Sequence, residues 1–214
     1  MMPGMETELR QVTMANRGEL GDIDPGPAAR GWVHAPWYWH QASLDRADLV
    51  FRLIYVLDSA AAVGMVAYGQ AYADRELTKP VRGRYELAHL VIDHRSQRKG
   101  IGRAVARRVL AALADQADCR ELVVAHHPDN QASRTLFTAL GLAPSTERNY
   151  DGDPMLIAEP ALREDSAGEQ RAAQRSSSRL AMPDGGQYRH RSYIAKIFQE
   201  LRSGDRPVTP GAST

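Results

Sequence analysis

Apolar residues along the chain occur in two kinds of pattern. Short dense runs predict strands, and apolar residues spaced three or four apart predict helices. Runs dense in β-branched and aromatic residues are typical of strands, and apolar residues three or four apart are typical of amphipathic helices. Because the expected strands precede, separate and follow the helices, the pattern predicts a mixed α/β (α+β) sheet. In chain order the expected elements are strands at Leu49–Leu57, Ala62–Tyr68 and Tyr85–Ile92, a helix at Ile101–Ala117, a strand at Glu121–Ala125, a helix at Asn130–Leu140 and a strand at Met155–Ala158.

A turn signal and one ambiguous stretch complete this pattern. Asp58 and Ser59 stand between the first two strands, so these strands are expected to form a hairpin. The stretch from Gly31 to Leu44 shows weaker helical periodicity, but it contains all three tryptophans of the chain. The aromatic cluster around Trp37 fits either core packing or the lining of a pocket.

The composition changes near Pro160, which divides the chain into parts. The stretch after it is rich in Arg, Ser, Gln, Ala and Gly and has too little to bury to offset its ordering entropy. Apolar residues then return at helix spacing between Tyr193 and Leu201. The sequence predicts a folded domain over 1–159, a low-complexity, disordered linker over 160–187, and a short amphipathic helix and tail over 188–214.

Composition and charge argue against several classes of protein. The 214 residues are 43% hydrophobic and 25% charged with a net charge of +1, and no clustered charge favours nucleic acid. No apolar run approaches the ~18 residues of a spanning helix, and the charged N-terminal stretch does not resemble a secretory signal. A single cysteine, Cys119, excludes an internal disulfide framework and a cysteine-built zinc site. We therefore expect a cytoplasmic protein that binds neither nucleic acid nor membranes and holds no metal.

The turn after the third expected strand carries the candidate chemistry. There, Gln97-x-x-Gly100-x-Gly102 opens a helix, with Arg98 and Lys99 between. Backbone N–H groups at a helix start have no intrahelical partner, and the helix dipole adds positive potential, so the turn can hold an anion such as phosphate. A tight strand–helix turn without a ligand is the alternative. The pattern lacks both the Walker ending and the third glycine of the dinucleotide fingerprint, which argues against ATP and NAD.

Two ordered blocks of this sequence resemble the GNAT superfamily of acetyl-CoA-dependent N-acetyltransferases. Gln97, Gly100 and Gly102 match its pyrophosphate loop, Arg/Gln-x-x-Gly-x-Gly/Ala. Further along, the run from Asn130 to Leu142 is similar to its second block, Asn-x-x-Ala/Ser-x-x-Leu-Tyr/Phe-x-x-Leu-Gly-Phe. The resemblance covers roughly residues 45–159. It implies a mostly antiparallel central sheet in which one parallel pair of strands splays apart, with flanking helices.

The resemblance implies acetyl-CoA as the co-substrate and assigns residues to it. The backbone of the strand end would pair with the pantetheine arm, and the glycine turn would wrap the pyrophosphate. Asn130 would hold the segment beside the cofactor, a role compatible with that of a helix cap. The residues expected at the cofactor are Val91, Ile92, Gln97, Arg98, Lys99, Gly100, Ile101, Gly102, Asn130 and Phe137.

Acyl transfer to a protonated amine needs a base, because an ammonium group has no lone pair. Glu86 lies where several family members place a catalytic glutamate; an ordinary solvent-facing strand carboxylate is the alternative. His89 follows three residues later, and strict strand alternation predicts that its side chain points to the opposite face. His126 and His127 end the next strand near the expected acetyl group, as proton carriers or as structural histidines.

The proton donor for the leaving CoA thiolate is where the sequence departs from the family. Many members carry tyrosine where this chain has Phe137, which cannot donate a proton. Tyr150, Tyr85 and Tyr68 are the candidates, and Tyr150 is our choice. Alternatively the thiolate leaves unassisted, since a thiol pKa of about 8.5 makes it a tolerable leaving group. We expect direct transfer in a ternary complex, because Cys119 is far from the loop in sequence.

These observations together favour an enzyme that acetylates a primary amine of a small molecule. A polyamine-like acceptor comes first, because the segments around Trp37 and Asp151 resemble, more weakly, the polyamine-acetyltransferase branch; an aminoglycoside-like acceptor comes next. The alternative is a CoA-binding regulatory or interaction module without turnover, which Phe137 and the C-terminal extension motivate. A homodimer is compatible with the resemblance, since family members often pair through sheet edges.

Overall fold

The computed structural model describes residues 6–57 and 59–160. The expected linker beyond Pro160 and the expected helix over 188–214 lie outside the described residues. The helices and strands are β1 Thr7–Arg10, α1 Pro36–Asp45, β2 Leu49–Val56, β3 Gly64–Tyr72, β4 Pro80–Ile92, α2 Ile101–Ala114, β5 Glu121–Ala125, α3 Gln131–Thr138, β6 Ala143–Arg148 and β7 Pro154–Ala158, with short 3-10 turns at Arg17–Gly21 and His94–Ser96.

The seven strands form one mixed sheet in the order β1-β2-β3-β4-β5-β7-β6. Every neighbouring pair is antiparallel except β4 and β5. The parallel pairing of β4 and β5 spans only Arg84–Glu86 against Glu121–Val123. Past that point the described part of β4 has no partner on β5, so the two strands diverge and leave a gap in the sheet. This topology confirms the expected fold class.

Most helices and strands lie where the apolar periodicity predicts them, and those that were not expected have little apolar periodicity in their sequence. The hairpin of β2 and β3, helix α2 and the strand before α3 lie where the pattern predicts them. The edge strand β6 was not expected, because nearly all its residues are exposed and its polar sequence has no apolar alternation. Helix α1 resolves the ambiguous stretch: Trp39 and Ala42 are buried, but Trp37 and Leu44 are exposed, which blurs its apolar face.

The core lies on both faces of the sheet. Adjacent strand residues belong to different clusters: Ile54 packs in the cluster with α2, whereas Leu53 packs in the cluster with α1. Val105 and Val109 of α2 are almost fully buried, because the apolar stripe of this helix faces the sheet. The two helices therefore hold the sheet between them and fix the gap between β4 and β5. Within the described ranges, no helix is long and apolar enough to cross a membrane.

Candidate active site

The turn before α2 presents a row of unpaired backbone amides. Gly100 caps α2 with φ +83°, and Arg98 has φ +61°, so the chain passes twice through the left-handed region. No acceptor in the described residues pairs with the N–H groups of residues 98–103. Successive amides in such turns form concavities that bind anions. A Cβ at Gly100 would meet no atom within 4 Å, so the space in front of these amides is open.

The side chains of this turn mostly brace it. Gln97 Nε2 donates to the carbonyls of Ile92, at 2.9 Å, and Pro25, at 3.1 Å. Lys99 Nζ donates to a backbone carbonyl of the preceding turn at 3.0 Å. Arg98 is exposed and makes no hydrogen bond to a described residue. An anion here would therefore meet the amides and Arg98, while the Gln97 side chain holds the loop in shape.

The apolar residues expected at the cofactor can offer only their backbone. Val91, Ile92 and Ile101 are buried in the two core clusters. A Cβ at Gly102 would lie 3.6 Å from Ile92 Cγ1, so this glycine packs close to β4 without requiring its special conformation. The end of β4 pairs with β3 on one side. Its other side, beyond the parallel register, is the edge available to a ligand.

Asp93 joins this turn to the N-terminal segment, a role that the sequence analysis missed. Its carboxylate is 3% exposed and accepts hydrogen bonds from the Asp24 N–H at 3.1 Å and from Arg95 Nε at 2.8 Å and Nη2 at 2.9 Å. The hydrogen bonds from Arg95 hold the pKa of Asp93 well below its ordinary range. A charged, buried residue directly after an apolar strand is the signal that could have found it.

A cleft opens where β4 and β5 diverge. Its volume is about 720 Å³, counting the space open to solvent at its mouth. The strands on either side of the gap, the loop before β7 and helices α1 and α3 all contribute to its walls. The Gln97–Gly102 turn does not line it. The expected site residues that do are Glu86, His126, Asn130, Phe137 and Tyr150.

Glu86 has the electrostatics of a base at neutral pH. Removal from bulk water raises its pKa to about 7; Arg84 opposes this rise, and the charge of Asp151 adds to it. Burial and then the charge of Glu86 raise the pKa of Tyr150, which therefore keeps its proton. No described residue hydrogen bonds the Tyr150 hydroxyl. The cleft thus pairs a carboxylate that can take a proton with a hydroxyl that carries one.

Comparison with known proteins decides the family. The model of the acetyltransferase (GNAT) family matches residues 19–142, more than half of the chain. The chain belongs to the GNAT family. It is therefore an acetyl-CoA-dependent N-acetyltransferase by membership. No curated protein matches the sequence.

Solved GNAT structures share the fold at low identity. An acetyltransferase from Thermus thermophilus is 17% identical with a TM-score of 0.56; the match covers 74% of this chain and 99% of that one. An acetyltransferase from Agrobacterium tumefaciens is 16% identical with a TM-score of 0.56, over 74% of this chain and 95% of that one. The PaiA N-acetyltransferase from Thermoplasma acidophilum, solved with coenzyme A, is 12% identical with a TM-score of 0.52, over 72% and 99%.

The predicted orientation of His89 in this GNAT chain was wrong. Between the pairs Ala67–His89 and Gly69–Glu86, β4 contains one residue more than β3, so a β-bulge interrupts the alternation. Glu86 and His89 consequently line the same cleft. Burial lowers the pKa of His89 to about 3, so its ring is neutral and is not a base at neutral pH. The ring stacks on Trp39, with centroids 5.4 Å apart.

His126, the other histidine expected near the acetyl group, also lines the cleft. It is 9% exposed, and its Nδ1 lies 3.0 Å from the carbonyl oxygen of His127. Since a carbonyl can only accept, Nδ1 carries the hydrogen, and in the neutral ring Nε2 bears the lone pair. His127 instead stacks on Trp32 with centroids 5.1 Å apart, as one wall of the cleft.

The remaining candidate residues fall into two groups, those that line the cleft and those that lie outside it. Asn130 caps α3, accepting from the Ser133 N–H at 3.0 Å, and Phe137 is buried between α3 and the sheet. Tyr85 donates its hydroxyl to Asp118 at 2.6 Å and does not line the cleft. Tyr68 and Cys119 lie outside it as well. Of the three tyrosines expected as proton donors, only Tyr150 lines the cleft.

The tryptophan cluster divides between the two expected roles. Trp39, a residue of α1, is 4% exposed and packs in the core, yet it also lines the cleft. Trp32 is a wall of the cleft. Trp37 is 44% exposed and does not line the cleft, so the segment contributes to the site through its neighbours rather than through Trp37.

Proposed function

We propose that this enzyme transfers the acetyl group of acetyl-CoA to a primary amine of a small cationic molecule, by direct attack in a ternary complex. A polyamine-like acceptor is favoured and an aminoglycoside-like acceptor comes second. The observation that carries the proposal is the position of Glu86, with a pKa of about 7, in the gap between the diverging strands. An amine acceptor requires a base there.

The charge of the cleft supports a cationic acceptor. Glu86, Asp151 and Asp153 line it, and no lysine or arginine of the described residues does. The rings of Trp32 and Tyr150 add faces that attract ammonium groups. An acidic, aromatic cleft favours an amine over an anionic acceptor.

Glu86 starts the reaction by accepting a proton from the bound ammonium group. The free amine nitrogen then forms a C–N bond to the acetyl carbon while the C–S bond breaks, and its second proton passes to His126 or solvent. The electron pair of the C–S bond leaves on sulfur, and the thiolate takes a proton from Tyr150 or water. With an ordinary thiol pKa of about 8.5, the thiolate needs little assistance.

The amide turn is suited to the pyrophosphate of acetyl-CoA. The N–H groups of residues 98–103 face open space, and the free edge of β4 beyond Glu86 can pair with an extended pantetheine arm. The solved GNAT relative from Thermoplasma acidophilum was crystallised with coenzyme A. The acetyl group would then lie in the gap beside the cleft. Since acetyl-CoA is used inside cells, the proposed activity is consistent with a cytoplasmic location; a homodimer stays a prediction.

An assay of thiol release tests the proposal against its rival, a CoA-binding module without turnover. The rival is favoured by Phe137, which cannot act as the acid. Purified protein is incubated with acetyl-CoA and a panel of diamines, triamines, monoamines and aminoglycosides. We expect release of CoA that depends on the amine, and an acetyl-CoA-dependent rise in melting temperature. A rise without release on any amine supports the rival, and no rise contradicts both.

A further inference from the structure

An ion pair joins two loops at the mouth of the cleft. Arg75, in the loop between β3 and β4, contacts Asp151, in the loop between β6 and β7. Asp151 lines the cleft, whereas Arg75 does not. The side chains are 43% and 28% exposed, respectively. The carboxylate of the pair therefore lines the cleft, and its guanidinium lies next to it.

The charge of Asp151 reaches the groups that surround the acceptor side of the cleft. Burial is the largest cause of the pKa shift of His34, Tyr38, Glu86 and Tyr150, and the Asp151 carboxylate acts on all four in the direction that favours a proton. The Arg75 guanidinium acts in the opposite direction on His34, Tyr38 and Tyr150. The four groups belong to four different segments of the chain. Asp151 therefore faces the same space as the base.

The carboxylate retains binding capacity toward the cleft. Arg75 Nη2 contacts Oδ1, and no described residue hydrogen bonds Oδ2. No lysine or arginine of the described residues lines the cleft to compete from within. Glu86 would accept a proton from one ammonium group of the acceptor. A nearby carboxylate with one oxygen free of hydrogen bonds then suits a molecule that carries a second ammonium group.

We propose that Asp151 binds the distal ammonium group of a dicationic acceptor and that Arg75 is a tethered cation that competes for it. This inference rests on the proposed function and adds the residue that selects the acceptor. An ion pair this exposed contributes little to folding, so an incoming ammonium can exchange with the guanidinium or push it away. The pair thereby favours acceptors with two cationic groups over monoamines, and Arg75 sets how tightly they bind.

Removing Arg75 separates this account from a purely structural role of the pair. In R75Q, we expect the KM for a linear diamine to fall about fivefold, the factor that corresponds to losing one exposed competing charge. The KM for the monoamine of equal length should stay within about twofold, because it places no ammonium at Asp151. R82Q is the matched control, since Arg82 is an exposed residue of β4 outside the cleft. All KM values are measured by thiol release at saturating acetyl-CoA.

Two variants of Asp151 complete the test. D151N should raise the KM for the diamine about tenfold and that of the monoamine much less, because only the diamine places a second ammonium group at Asp151. The combined R75D and D151R exchange keeps an ion pair between the loops but turns a cation toward the cleft, so it should raise the diamine KM while the melting temperature holds.

Failure of this inference and failure of the proposed function give different results. If each variant shifts the KM of monoamine and diamine equally, or if R75Q raises the diamine KM, the pair is structural and the inference fails while the acetyltransferase stands. If the wild-type enzyme releases no thiol with any amine, the proposed function fails and the inference fails with it.

Discussion

At the scale of single residues, the candidate site depends on two carboxylates that burial affects in different ways and on one exposed glycine. Desolvation raises the pKa of Glu86 to about 7, whereas hydrogen bonds from Arg95 keep buried Asp93 ionised. Gly100 adopts φ +83° and leaves room before the amide row. In the proposed mechanism Glu86 accepts a proton, while Asp93 and Gly100 shape the turn that would bind the pyrophosphate.

Gly100 should be needed for the cofactor far more than for folding. G100V places a branched side chain before the amide row, and we expect loss of acetyl-CoA binding in calorimetry, by about tenfold or more. G141V is the matched control, because Gly141 also has positive φ, +97°, with nothing within 4 Å, but lies outside the turn. Both variants carry similar backbone strain, so equal acetyl-CoA affinity in the two would contradict the assignment.

Asp93 should couple stability to cofactor affinity. D93N weakens the hydrogen bonds with Arg95 and Asp24, so we expect the free energy of unfolding at pH 7 to fall by about 1–3 kcal/mol and the acetyl-CoA Kd to rise. Because the folded pKa is lowered, this stabilisation exists above the ordinary aspartate pKa of about 3.9 and fades as the pH falls below it. D129N, at an exposed carboxylate, is the control in urea titrations. A difference between wild type and D93N that stayed constant down to pH 2 would contradict this role.

At the scale of elements, the divergence of β4 from β5 creates the site. The bulge in β4 turns Glu86 and His89 to one side, and the short parallel register leaves the end of β4 open on one edge. Close packing on the other edge fixes that end: a Cβ at Gly64 of β3 would lie 2.3 Å from the Val91 carbonyl oxygen. The end of β4 is thus closely packed against β3 on one edge and open on the other.

A methyl group at Gly64 should displace this strand. We expect G64A to lower the free energy of unfolding by about 1–3 kcal/mol in urea titrations, and to raise the acetyl-CoA KM, because backbone atoms rather than a flexible side chain must move. G18A, which meets nothing within 4 Å, should change stability by less than about 0.5 kcal/mol. Equal free energies of unfolding in the two variants would contradict close packing of Gly64 against β4.

The same elements show how far a sequence can be interpreted. The amide turn could be predicted, because a strand end, two glycines and a helix start are contiguous in the chain. The shared face of Glu86 and His89 could not, since a bulge depends on pairing with β3. The Arg75–Asp151 pair is likewise invisible in sequence, because it joins loops far apart along the chain.

At the scale of the molecule, the sheet carries both the amide turn and the cleft, and helices pack on both of its faces. Helix α2 begins at the anion turn and packs along one face, while α1 and the N-terminal segment cover the other face beside the cleft. Asp93 connects that segment to the turn. In the proposed complex, cofactor and acceptor therefore bind from two sides of the gap, with Glu86 between them.

The pH dependence of thiol release in wild type and E86Q tests this central claim most directly. For the wild type, kcat/KM should fall as the pH drops through about 7, because Glu86 must be ionised to accept a proton. E86Q should lose about 100-fold or more in kcat with an unchanged acetyl-CoA Kd, and without loss of melting temperature, since a carboxylate of raised pKa costs stability once ionised. E76Q, at an exposed glutamate, is the control. An E86Q enzyme as fast as wild type at every pH would contradict the account.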